Sequence, residues 1–147
     1  MTALQTVERD IIIATLQGST ELSDIVGDRI LWEYVSRKGK VVYPYVRILL
    51  KYGGYSNVAQ SLDSKSTWQV TGICMDDLVV AENMLNAIHD TLHNKLLTVP
   101  ENYTQVNTTY TLLEEQSIFR AFKYHNEPLY DVGGLYCLRL SLDEGID

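Results

Sequence analysis

The stretch Ser66-Thr67-Trp68-Gln69-Val70-Thr71-Gly72-Ile73-Cys74-Met75 runs straight into Asp76-Asp77-Leu78 and on to Leu96, and its apolar period changes on the way. "TWQVTGI" (67–73) alternates with a period of two, as a strand does. Asp76 or Asp77 then offers an N-cap carboxylate, and Leu78, Ala81, Leu85, Ile88, Leu92 and Leu96 recur in steps of three and four. These steps predict the longest helix of the chain, ending near Lys95. A strand leading directly into a long amphipathic helix requires a sheet for the first and an apolar face for the second to cover. This junction decides the fold class.

The same helix carries "IHDTLH" (88–93), with two of the three histidines of the chain four residues apart. Residues i and i+4 share a helical face, so both rings could reach one metal ion. At about 100° per residue, however, His89 lies roughly 60° and His93 roughly 100° from the middle of the apolar stripe. Only Cys74, Asp90 and His125 are available to complete a ligand set, with no CxxC or HExxH context. The pair therefore reads as boundary and surface histidines near a helix C-terminus, and no metal or other cofactor is expected.

Towards the N-terminus, Leu4, Val7, Ile11, Ala14 and Thr15 at helical spacing predict a first helix stopped at Gly18. Ser19 or Thr20 caps a short helical hook closed by Gly27. Ile30, Trp32 and Tyr34 alternate as a strand, "SRKGK" (36–40) is the turn after it, and Pro44 opens "YVRILLKY" (45–52), a strand with apolar residues on both faces. "GGYSNVAQSLDSKS" (53–66) is glycine-rich and polar, either a mobile loop or a projecting hairpin arm.

Beyond Pro100, "YTQVNTTYTLL" (103–113) is a strand through Val106, Thr108, Tyr110 and Leu112. "EEQSIFRAFKYHNEPLYDVGG" (114–134) is ambiguous, compatible with an edge strand from Ile118 to Tyr124 and a turn. "LYCLRLSL" (135–142) is the last strand. The order helix-strand-strand-strand-helix-strand-strand predicts one α+β domain over residues 1–147. Its largely antiparallel sheet of about five strands packs two helices on one face.

Composition narrows the function classes. At 147 residues, 46% apolar and 21% charged, the chain can build a core without metals or disulfides. Cys74 and Cys137 sit in apolar runs and read as buried free thiols. The net charge of −7 disfavours a firm grip on nucleic-acid phosphates. No window approaches the ~20 apolar residues of a membrane span, and the start lacks the pattern of a signal peptide. Ten tyrosines against two phenylalanines suit half-buried surface, as in an oligomer.

Enzyme signatures are missing from the sequence. There is no Gly-x-Ser-x-Gly elbow, and neither cysteine has a basic or histidine-rich neighbourhood. Gly53-Gly54 and Gly133-Gly134 lack the context of a phosphate cradle, and Asp76-Asp77 and Glu114-Glu115 read as helix cap and solvated strand end.

The succession of "LSDIVGDRI" (22–30), "YPYVRI" (43–48), "STWQVTGICMDDLVVAENMLNAIHDTLHNKL" (66–96) and "YDVGGLYCLRLSL" (130–142) resembles the tail terminator, or tail completion, proteins of long-tailed bacteriophages. The likeness runs from about Leu4 to Leu142 and lies in the order of packing and turn motifs. The stretch Glu114 to Leu129 departs from it, being longer and more polar.

The resemblance implies a non-enzymatic virion protein, built in the host cytoplasm as a ring, with a hexamer expected. Such a ring caps the completed tail tube, ends its polymerisation and meets the major tail tube protein and a neck or head-completion protein. DNA passes through its lumen without specific binding, which a negative ring favours by repulsion. No membrane is involved. Arg37, Lys38 and Lys40 of "SRKGK", and Tyr55, Asn57 and Gln60 of the following arm, become candidate contacts. Two alternatives stand beside this reading: another neck protein of the head-closure or stopper kind, and a small metal-dependent enzyme using His89 and His93.

Overall fold

The computed structural model of the chain describes residues 4–32, 42–55, 63–103 and 106–142. Helix α1 (Leu4–Gln17) buries Val7, Ile11, Ile12 and Leu16. Helix α2 (Thr20–Val26) begins at Ser19, whose hydroxyl accepts the Leu22 N–H, and ends at Gly27 with positive φ. The hook is thus a full helix, so three helices rather than two cover the sheet. Of the two candidate caps at 76–77, Asp77 is the one used: its carboxylate accepts the Val80 N–H at 3.0 Å, opening α3 (Leu78–Leu92).

Five strands follow the order β1-β2-β3-β5-β4. Strand β1 (Ile30–Trp32) runs parallel to β2 (Tyr45–Tyr55), and the remaining pairings, with β3 (Asp63–Met75), β4 (Val106–Tyr124) and β5 (Glu127–Leu142), are antiparallel. The α+β class and the mainly antiparallel sheet stand as expected from the sequence. All three helices pack on one face, against Ile30, Val46, Ile48, Trp68, Val70, Val132, Tyr136, Leu138 and Leu140. Burying each large aliphatic side chain there contributes about 1.5–3 kcal/mol.

Three expectations change. First, α3 stops at Leu92 rather than near Lys95, because His93 takes an extended ψ of 121° and Asn94 a positive φ. Its buried stripe is Ala81, Met84, Ala87, Ile88 and Leu92. Leu78 is 46% and Leu96 79% exposed, and Leu85 is only partly buried. The helix is rotated onto Met84 because β3 offers Gly72 beneath it. A Cβ at Gly72 would stand 2.3 Å from the Met84 methyl carbon, so the missing side chain is the socket.

Second, the two readings of segment 53–66 narrow to one, the hairpin arm, at its described ends. Gly53, Gly54 and Tyr55 pair with Ser66, Lys65 and Ser64, extending the β2–β3 ladder into the arm past a bulge between Leu50 and Tyr52.

Third, the separate strand ending near Leu112 and the ambiguous 114–134 stretch resolve into one long edge strand, β4. It is joined to β5 by a two-residue turn, His125-Asn126, with positive φ at both positions. Register slips between Leu112 and Glu114 and between Glu114 and Gln116 break the alternation that would mark a continuous strand. The last strand accordingly starts at Glu127, not at Leu135.

Candidate functional site

The helices leave the other face of the sheet uncovered among the described residues, and the strand registers show what it carries. Tyr45 stands opposite Ile73, which stands opposite Asp131, which stands opposite Arg120; one step along, Arg47, Thr71, Gly133 and Ile118 form the next row. At the start of β2 a second apolar cluster forms without any helical residue. Tyr45, Ile73 and Leu129 are buried there, with Leu31, Tyr43 and Met75 packed around them.

The Tyr43 and Tyr45 rings lie 5.6 Å apart, and burial pushes both phenols above their usual pKa. Phe122 and Tyr124 are 49% exposed at the adjoining end of β4. Tyrosine, phenylalanine and arginine on one surface is the composition of a protein-binding patch.

Asp131 anchors the polar part. It is 3% exposed, and its Oδ2 accepts from Arg120 Nη2 at 2.9 Å and faces Arg47 Nη2 at 3.8 Å. Around it, Asp131 Oδ1, Thr71 Oγ1 and Arg47 Nε are buried with no hydrogen-bond partner among the described residues.

The strands pass closely here because Gly133 lacks a side chain: a Cβ would lie 2.0 Å from the Val70 carbonyl oxygen. Towards the arm the face turns basic, with Lys51 and with Lys65 directly opposite Arg139; the latter two are exposed. A like-charged cross-strand pair is unfavourable in the isolated chain.

The helical layer has the opposite sign. Glu21, Asp24, Asp28, Glu82, Asp90 and Glu101 are all exposed, and among described residues 4–29 and 76–103 the only Lys and Arg are Arg9, Arg29 and Lys95. Glu82 and Asp90 flank Asn86 on the outer ridge of α3, away from the buried Met84 and Ile88.

A second polar feature lies under α1. Glu8 is 1% exposed, and its carboxylate accepts from Ser66 Oγ at 2.9 Å and from Trp68 Nε1 at 3.0 Å. Burial raises its pKa, and these two hydrogen bonds oppose the rise. Beside it a shallow groove is lined by Gln5, Thr6, Arg9, Trp32, Ile48 and Leu50, with the Arg9 guanidinium 4.6 Å from the Trp32 ring centre.

Of the contacts proposed from sequence, Arg37, Lys38, Lys40, Asn57 and Gln60 lie outside the described residues. Tyr55 ends β2 opposite Ser64, and its side chain is not among those described. His89 and His93 are both partly buried, and their rings stack 4.6 Å apart at 19°, presenting faces rather than nitrogens to each other. Among the described residues no group of three or more His, Cys, Asp or Glu is placed to hold a metal ion. Cys74 and Cys137 are buried free thiols; burial raises the pKa of Cys74, which donates to the Asp77 carbonyl at 3.4 Å.

Sequence reading missed Asp131, Arg120, Arg47 and Glu8. Only Glu8 left a usable signal: a carboxylate one turn from Ile11 and Ile12 falls on the apolar stripe.

The fold is a three-helix layer on a five-stranded mixed sheet whose far face is open among the described residues. No family model and no curated protein matches the chain. Among solved structures, a chain from the virion of a native gene transfer agent (GTA) particle is similar. The TM-score is 0.60 at 12% identity, and the likeness covers 96% of this chain and 99% of that one. The two share the fold from end to end.

Proposed function

We propose that this chain is a structural protein of a phage-like virion. It assembles as a ring, with six copies expected, that caps the tail tube, ends its growth and joins it to the neck. The observation that carries this reading is the end-to-end likeness to a virion chain, with almost nothing left over on either side. The tail-terminator motif order, the open tyrosine- and arginine-bearing sheet face and the acidic helical layer support it. Its partners in this reading are further copies of itself, the major tail tube protein and a neck protein, with duplex DNA passing through unheld. The basic segment with Arg37, Lys38 and Lys40, and the arm with Tyr55, Asn57 and Gln60, serve as contacts to those neighbours. No catalytic step is assigned to it.

The test has two parts. Light scattering on the purified protein should give a mass near six times the 16.7 kDa chain. Removing the gene should give particles with overlong or unjoined tails. Tails of normal length joined to heads in the deletion would refute the assignment. Changing Arg37, Lys38 and Lys40 together to Ser should impair joining, and normal joining would remove that segment from the contact set.

A further inference from the structure

We propose that copies of this chain pack head to tail, the basic arm-side half of one open sheet face seating on the acidic α3 ridge of the next copy. The inference rests on the self-assembly reading above and specifies the two surfaces involved. It stands on two observations.

Lys65 and Arg139 face each other across β3 and β5, both exposed, and no carboxylate among the described side chains is paired with either. Two exposed cations held together cost stability unless an anion is brought to them. In an assembly of identical copies, the chain's own opposite layer offers such anions. There Glu82 and Asp90 project from α3 with no ion pair among the described residues.

A contact of ordinary size, ~800 Å² per partner, is about a tenth of the chain's 8565 Å² surface and easily spans this half of the sheet.

The signs of the two patches also fix the symmetry. In a two-fold contact through this face, Lys65 and Arg139 would meet their own copies and repel. A contact between two different patches carries an unused basic face at one end and an unused acidic ridge at the other. Such heterologous contacts propagate and close into rings. Because the attraction is between exposed charges, it weakens as the Debye length shrinks from about 10 Å at 0.1 M salt to about 3 Å at 1 M.

Charge reversal distinguishes the possibilities. One variant carries Lys65→Glu and Arg139→Glu; the other carries Glu82→Lys and Asp90→Lys. Sedimentation velocity should show each alone assembling at least tenfold more weakly than the wild type. Mixed one to one, the two should recover assembly, since each then meets a complementary neighbour on both sides. A chain bearing all four changes should assemble by itself. Circular dichroism and melting of each variant serve as the folding control, and the neutral pair Lys65→Gln and Arg139→Gln should give a smaller loss with a flatter salt dependence.

Wild-type-like assembly of either reversed variant alone would overturn the interface, as would failure of two folded variants to rescue each other. In both cases the ring would be left standing. A wild type that is monomeric at every concentration and salt would instead overturn the assembly reading itself.

Discussion

Glu8 illustrates how a single carboxylate acquires a pH signature from its place in the fold. Its folded pKa is raised, chiefly by burial, above its value in the unfolded chain. The stability it contributes is therefore fully present below the unfolded pKa and is lost as pH rises through the folded one. Glu8→Gln keeps an acceptor for Trp68 and gives Ser66 a donor in place of an acceptor. The variant should gain on the wild type as pH rises above about 4.5, where the carboxyl of the unfolded chain ionises while the buried one still holds its proton. Urea denaturation across pH 4 to 8 reads this directly; a difference that is constant with pH, or shrinks, would contradict the account.

At Gly133 the constraint is steric. A Cβ 2.0 Å from the Val70 carbonyl requires β3 and β5 to move apart. Gly133→Ala should then cost about 1–3 kcal/mol, the range for overpacking, or more. A midpoint within error of the wild type would show that the strands yield freely.

At the scale of elements, the contact of α3 with the sheet is set by Met84 over Gly72 rather than by Leu78 at its start or Leu96 beyond its end. Met84→Ala should cost about 2–5 kcal/mol. Leu78→Ala and Leu96→Ala, at 46% and 79% exposed positions, should stay within about 0.5 kcal/mol. Equal losses at all three positions in chemical denaturation would restore the stripe expected from sequence. The Asp77 cap is the other control point: Asp77→Ala should cost about 0.5–2 kcal/mol, since it leaves the Val80 N–H without its acceptor.

The helix was legible because its steps of three and four are long and regular. Its rotation was not, because two adjacent stripes of the same helix are both apolar, and only the glycine on the facing strand selects between them. Likewise β4 was read in pieces, because its register slips occur where period-two alternation is the only sequence signal available.

At the scale of the whole molecule, acidic side chains gather on the helical layer and cations on the arm-side half of the open sheet face. A chain divided in this way should assemble less strongly in salt. Raising sodium chloride from about 0.1 M to about 1 M should shift the oligomer towards monomer in analytical ultracentrifugation. Assembly that is indifferent to salt would point to the Tyr43–Tyr45–Phe122–Tyr124 end of the same face as the dominant contact.

The amino-acid order by itself determined the α+β class, the capped helices, the succession of strands and the burial of both cysteines. Each of these follows from local periodicity and local capping chemistry. Only the tertiary structure decided that Asp131, Arg47 and Arg120 meet, that Glu8 lies against Ser66 and Trp68 some sixty positions away, and that Lys65 faces Arg139. Such meetings depend on strand order and register, in which β5 inserts between β3 and β4. Register is a property of paired strands, so no single segment of the chain contains it.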